Sequence, residues 1–160
     1  MVKTKVGFDF HGVIDQEPNF FAFLSYTLRT EGHEVHIITG QELCDELFTK
    51  LNKHNIEYTR IFSITSYHKK IGTYITYKDG DKTQPLIAPP IWDKTKANYA
   101  AEQGLHFHID NSKNYEEYFK DITTQYLLYT PELRALLFQL MGWSDRFSSK
   151  LLSILRPIYK

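Results

Sequence analysis

Cysteine is almost absent from this chain, with Cys44 the only one in 160 residues. That excludes an internal disulfide framework and any cysteine-rich zinc site, and Cys44 reads as a packed thiol rather than a nucleophile. A surplus of charge is missing too. Lys plus Arg and Asp plus Glu number 19 each, so the net charge is zero with His neutral. No global basic field exists to gather nucleic acid or an anionic membrane, which leaves only local patches to do so. No apolar run approaches the ~20 residues of a membrane span. The opening Met-Val-Lys-Thr-Lys leads straight into apolar sequence without the pattern of a signal peptide. Internal repeats and low-complexity stretches are lacking as well. The expectation is a soluble, cytoplasmic protein with no membrane partner.

What is present is a core. The hydrophobic fraction is 42% and the aromatic fraction 15%, enough for one well-packed domain at this length. Apolar spacing alternates between strand-like and helix-like runs. A short run at 6–8 predicts a buried strand, and Phe20, Phe21, Phe23, Leu24 and Leu28 recur at helical spacing after Pro18. Residues 34–39 predict a second strand closed by Gly40, and such a strand–helix–strand unit implies parallel pairing. A helix over 42–54 and a strand over 58–64 follow. Residues 72–88 break the rhythm and predict a small β-hairpin insertion, around Lys78-Asp79-Gly80-Asp81 and ended by Pro89-Pro90. A helix over 94–103, a strand over 105–109, a short helix over 115–120, a strand over 125–129 and a helix from Thr130 to about 141 complete the pattern. The fold class is α/β: a Rossmann-like parallel sheet with flanking helices in one domain over 1–142. Residues 143–160 carry a basic amphipathic helix, which reads either as a membrane or partner contact or, as expected here, as a helix packed on the same domain.

The chemistry gathers at strand ends, where open α/β sheets bind ligands. The first strand delivers Asp9, with Gly12 permitting a sharp turn just after it. Asp9 reads either as an attacking group or metal ligand, or as a plain turn cap. The second strand ends at Thr39, and the strand over 105–109 delivers Asp110-Asn111. Lys96 lies on the helix feeding that strand. Two carboxylates, a hydroxyl and an ammonium at one sheet edge are what phosphoryl transfer needs. The carboxylates hold Mg²⁺, the other two groups hold phosphate oxygens, and one carboxylate can attack phosphorus.

From Val6 to about Asn114 this order resembles the haloacid dehalogenase (HAD) superfamily of phosphohydrolases. The matching motifs are Asp9-Phe10-His11-Gly12-Val13, Val35-His36-Ile37-Ile38-Thr39-Gly40, Lys96 with Lys94 as runner-up, and His108-Ile109-Asp110-Asn111. The resemblance implies an aspartyl-phosphate formed on Asp9. It implies Mg²⁺ held by Asp9, Asp110 and the main-chain carbonyl of His11, and a phosphoryl group bound by Thr39, Gly40 and Lys96. No large cap domain fits between Asp9 and Thr39, and the hairpin is at most a miniature lid. The implied substrate is a phosphomonoester: a small molecule, a nucleotide or a nucleic-acid end.

Two positions depart from that pattern. His11 stands where the hydrolases carry an acid–base Asp, and Asn111 replaces the second acid of the last motif. Imidazole titrates near pH ~6.5, so proton transfer near neutrality survives the change if the ring reaches the leaving group. The other reading is an inactive protein of the same fold that binds a phosphate-containing ligand or a protein partner. Asp15 either helps the site or caps the first helix. His106 and His108 share a strand face but lack a third metal ligand. His68-Lys69-Lys70 is a basic cluster or a solvated loop, Tyr115, Tyr118 and Phe119 read as a cover for the sheet edge, and Tyr74, Tyr77 and Lys78 are lid contacts or an ordinary surface.

Overall fold

A computed structural model describes residues 3–78 and 85–141. Five parallel strands, β1 (Lys5–Asp9), β2 (Glu34–Thr39), β3 (Arg60–Ser63), β6 (Phe107–Asp110) and β7 (Gln125–Leu128), form a sheet in the order β3-β2-β1-β6-β7. A two-stranded antiparallel ribbon, β4 (Thr76–Tyr77) with β5 (Pro85–Leu86), lies apart from it. The helices are α1 (Pro18–Thr30), α2 (Asp45–Lys53), α3 (Ile64–Lys70), α4 (Pro89–Gln103) and α5 (Pro131–Met141), with a 3₁₀ segment over Lys113–Phe119. The architecture is therefore Rossmann-like α/β with a small hairpin. The tip of the expected hairpin and the expected C-terminal helix lie outside the described residues.

The sheet is packed on both faces, and strand alternation says which residues go where. Val6, Phe8, Ile37, Phe107 and Ile109 join Phe21, Leu24 and Leu28 of α1 and Leu47 and Leu51 of α2 in one core. Ile38, next to Ile37 and so on the opposite face, joins Ala97, Tyr99 and Ala100 of α4 and Phe119 in a second. Residues 7 and 9 of β1 and 108 and 110 of β6 therefore face α4.

Local signals explain most helix ends. Pro18 opens α1, and α2 carries Asp45 and Glu46 in its first turn and Lys50 and Lys53 in its last, complementing the helix dipole. Two expectations are corrected. Pro89 and Pro90 do not end the hairpin segment; they occupy the first turn of α4, where a missing N–H is harmless, so that helix starts five residues earlier than the predicted 94. The end of the predicted 58–64 strand turns instead into α3, whose N-cap Ser63 accepts a hydrogen bond from Ser66 N at 3.0 Å.

Strand order reverses between β1 and β6: the chain builds outward from β1 to β2 and β3, then returns to β6 and β7 on the other side. In open α/β sheets ligands bind at such a switch point, beyond the carboxyl ends of the strands. Phe8 pairs with Ile109, which brings Asp9 level with Asp110.

Candidate active site

Asp9, Lys96 and Asp110 meet at that switch point. Lys96 Nζ lies 3.0 Å from Asp9 Oδ1 and 2.5 Å from Asp110 Oδ2. All three side chains are buried, Lys96 being 1% exposed although it is a lysine. Lys94, two residues earlier on α4, is exposed, so Lys96 is the lysine that reaches the carboxylates. Strand parity brings them together: Asp9 and Asp110 face α4, and α4 supplies the ammonium.

Both oxygens of Asp110 are engaged. Oδ2 also lies 3.1 Å from His108 Nε2, and Oδ1 accepts from Ser112 N at 3.0 Å. Burial pushes the Asp110 carboxyl up, but Lys96 and His108 outweigh it and hold the group well below the usual carboxylate range. Asp9 moves the other way. Burial raises it, Lys96 offsets part of that, and the neighbouring Asp110 charge raises it again. Burial also works against the Lys96 charge, yet Asp9 and then Asp110 hold the ammonium above its ordinary range. One ammonium thus serves two carboxylates, and Asp9 is the one left short of positive charge. A structural ion pair needs only one acid; a second, undercompensated acid at a switch point makes this a candidate functional site.

Aromatic side chains close the lysine side. Lys96 Nζ lies 4.3 Å from the centre of the Tyr115 ring, and Tyr115 Oη accepts from Trp92 Nε1 at 3.0 Å. Trp92 in turn lies on Gly40, where an added Cβ would stand 2.7 Å from its ring. Gly40 is thus a close-approach glycine just past Thr39. Thr39 is fully buried, and its Oγ1 accepts from Gln41 N at 3.1 Å. Hydroxyls below fix the Gly40–Gln41 backbone: Thr65 Oγ1 donates to Gly40 O at 2.5 Å and Ser63 Oγ to Gln41 O at 2.7 Å.

His11 sits just past β1 in a tight turn over Phe10–Ile14, which Gly12 allows by adopting φ +77°. Its side chain is 53% exposed. Nδ1 lies 3.2 Å from Asp15 Oδ2 and Nε2 3.1 Å from Gln41 Oε1, so the ring is held between β1's turn and the loop after β2. Asp15 does not cap α1, whose N-cap residue is Glu17. It closes the turn instead, accepting from Gly12 N at 2.6 Å while it orients His11. Asn111 packs against the same turn, its amide filling the space beside Gly12.

Sequence reasoning missed His108 as a partner of Asp110, and Gln41, Trp92 and Tyr115 as walls of the site. The two-residue spacing of His108 and Asp110 on one strand was the available signal. His106 and His108 do not form a pair: His106 Nδ1 accepts from Lys5 N, while His108 lies on Asp110. The His68-Lys69-Lys70 cluster is not a free basic patch. His68 is buried between Thr73 and Thr95, and Lys69 pairs with Glu42 at 2.5 Å.

For a metal, no cluster of three or more His, Cys, Asp and Glu side chains occurs among the described residues. Mg²⁺ needs no such cluster, being commonly held through one or two carboxylates, waters and substrate phosphate. The donor set fits that mode. Asp9 meets Lys96 through Oδ1, and the local charge of two carboxylates and one ammonium is −1. No helix among the described residues is long and apolar enough to cross a membrane.

Comparisons add a fold and no family. No protein-family model matches the chain, and neither does any curated protein. Among solved structures, it is similar to a crystal structure of an uncharacterized protein from Corynebacterium glutamicum, with a TM-score of 0.56 at 13% identity over 91% of this chain and 99% of that one.

Proposed function

We propose that the protein is a Mg²⁺-dependent phosphomonoester hydrolase of haloacid dehalogenase type, with Asp9 as nucleophile. The observation that carries this reading is Lys96 bridging Asp9 and Asp110 at the sheet's switch point, with Asp9 left undercompensated. An acid in that state is stabilised by any cation that arrives beside it, and it attacks readily once a phosphoryl group is positioned. Mg²⁺, held by Asp9, Asp110 and the His11 carbonyl, would supply charge neutralisation between the carboxylates and the phosphate.

The chain's own groups divide the remaining work. Thr39 Oγ1, the Gly40 backbone and Lys96 Nζ hold the phosphoryl oxygens. An Asp9 carboxylate oxygen forms the bond to phosphorus as the bond to the leaving oxygen breaks, and a protonated His11, an imidazolium, gives that oxygen its proton and becomes neutral imidazole. His11 then takes a proton from water, the resulting hydroxide attacks phosphorus, and the Asp9–phosphorus bond breaks to release inorganic phosphate. Asp15 orients the ring through Nδ1, and Nε2 exchanges its contact with Gln41 for the leaving oxygen and then for water.

Phosphate release from ribose 5-phosphate with Mg²⁺ tests this. Asp9→Asn is expected to abolish it. His11→Ala is expected to lower it by about 10²–10⁴-fold, the usual worth of a general acid–base. Release that survives Asp9→Asn unchanged refutes the nucleophile. Tight phosphate-ester binding with no turnover by the wild type supports instead the binding protein of the same fold.

A further inference from the structure

Beyond Trp92 and Tyr115 the surface opens into a cleft of about 280 Å³ between β5, the first turn of α4 and the 3₁₀ segment. Leu86, Pro89, Trp92 and Tyr115 give it flat, apolar walls, and Asp93 and Asn114 are its polar groups. The volume lies at the small end of ligand pockets, enough for one ring system and not for a whole cofactor. Its position ties it to the active site. Trp92 lies on Gly40, and Tyr115 lies over Lys96, so the wall of the cleft is also the wall of the phosphate site.

We propose that the cleft receives a nucleobase, which makes the substrate class a nucleoside monophosphate. The inference rests on the phosphatase reading and names its substrate. Planar heterocycles stack on indole and phenol rings, and proline faces complete such a slot. Asp93 makes the choice finer. It is half-buried at the cleft, where burial and then the nearby Glu117 raise its carboxyl above the usual range. A carboxylate so placed gains from N–H donors, and guanine, which offers two adjacent ones, suits its two oxygens best. An aliphatic phosphate has no group for such a slot, and a sugar phosphate, whose hydroxyls can donate to the acid, offers no planar heterocycle to stack on the rings.

The test separates this inference from the reading beneath it. The chain has two tryptophans, Trp92 and Trp143, so Trp143→Phe leaves Trp92 as the sole indole reporter. In that background, with Asp9→Asn added to stop turnover, GMP is expected to quench Trp92 fluorescence and ribose 5-phosphate is not. With active enzyme, Trp92→Leu is expected to lower the ratio of kcat/KM for GMP to that for ribose 5-phosphate by about 5–150-fold, the usual worth of base stacking. Asp93→Asn, a milder change should Trp92→Leu fail to fold, is expected to lower GMP relative to IMP, which lacks the second donor. Quenching by GMP without phosphate release from any ester upholds the cleft and overturns the phosphatase. Equal turnover of ribose 5-phosphate and GMP, with no quench, overturns the cleft and leaves the phosphatase standing.

Discussion

Asp9 and Asp110 share one lysine, yet removing their charges should have opposite effects on stability. Asp9→Asn deletes a carboxylate that burial and Asp110 hold above its ordinary range, so the folded state is relieved of a charge it hosts at a cost. Lys96 keeps its 2.5 Å contact to Asp110. Asp9→Asn is therefore expected to raise the melting temperature while it abolishes turnover, as happens where a site holds strain for function. Asp110→Asn removes the acid that Lys96 and His108 stabilise and is expected to lower it. Lys96→Met leaves two buried carboxylates facing each other without a cation. Breaking a buried pair costs about 3–5 kcal/mol, which in a domain of this size is about 6–20 °C.

The pH dependence supplies the sign. Asp110 has a depressed folded value, so its contribution is full above the unfolded carboxylate pKa of ~3.9 and fades as pH falls through the folded value. Asp9 has a raised folded value, so its cost is full above that value and disappears as the group protonates. The gain from Asp9→Asn should thus grow with rising pH through the acid range and then level off. Thermal melts followed by circular dichroism in EDTA, from pH 4 to pH 8, read all three variants. If Asp9→Asn melts below wild type at pH 7.5, or Lys96→Met melts with it, the charge reasoning is wrong.

Two further outcomes follow from groups outside the triad. His36 and His68 are buried and their pKa values are lowered by burial, only partly countered at His36 by Glu34. The folded state binds protons on both less readily than the unfolded chain does, so the urea midpoint should fall as pH drops below ~6.5, and a midpoint flat from pH 7.5 to 5.5 would count against it. Gly12→Ala places a Cβ in a left-handed turn and within 2.0 Å of the Asn111 amide, so it should cost about 1–3 kcal/mol and most of the phosphate release, read by melts and by activity.

The fold was legible because parity and punctuation did most of the work. Between its polar ends Glu34–Thr39 carries one polar residue, His36, among Val35, Ile37 and Ile38, as suits a strand covered on both sides, and Gly40 closes it. The same alternation carries Asp9 and Asp110 to one face, so their meeting with Lys96 follows once the parallel order is known. Pro89-Pro90 misled because a proline pair ends a strand as readily as it begins a helix, and only the packing of α4 decides between them. Ile64–Lys70 misled for a related reason: Ile61, Phe62 and Ile64 read as one apolar run, and the hydroxyl of Ser63 converts its end into a helix cap. The walls of the site were illegible, since Trp92 reaches Gly40 and Gln41 reaches His11 only through tertiary approach.

The two departures at the site act together. With acids in place of His11 and Asn111, this sheet edge would carry a charge of −3 with the histidine counted neutral, against −1 as it stands. A more negative edge would hold a divalent cation more tightly and admit a phosphate dianion less readily. On the proposed phosphatase reading the present edge is tilted toward the anion, and Mg²⁺ should bind mainly when substrate oxygens complete the shell. Asn111 is exposed, so solvent screens a charge placed there, and restoring it is worth about 1 kcal/mol or less. Asn111→Asp should then tighten Mg²⁺ by about 2–5-fold in activation curves and weaken inhibition by inorganic phosphate by a similar factor. Movement of both constants in the same direction would mean that residue 111 acts through the Gly12 turn it packs against, and not through its charge.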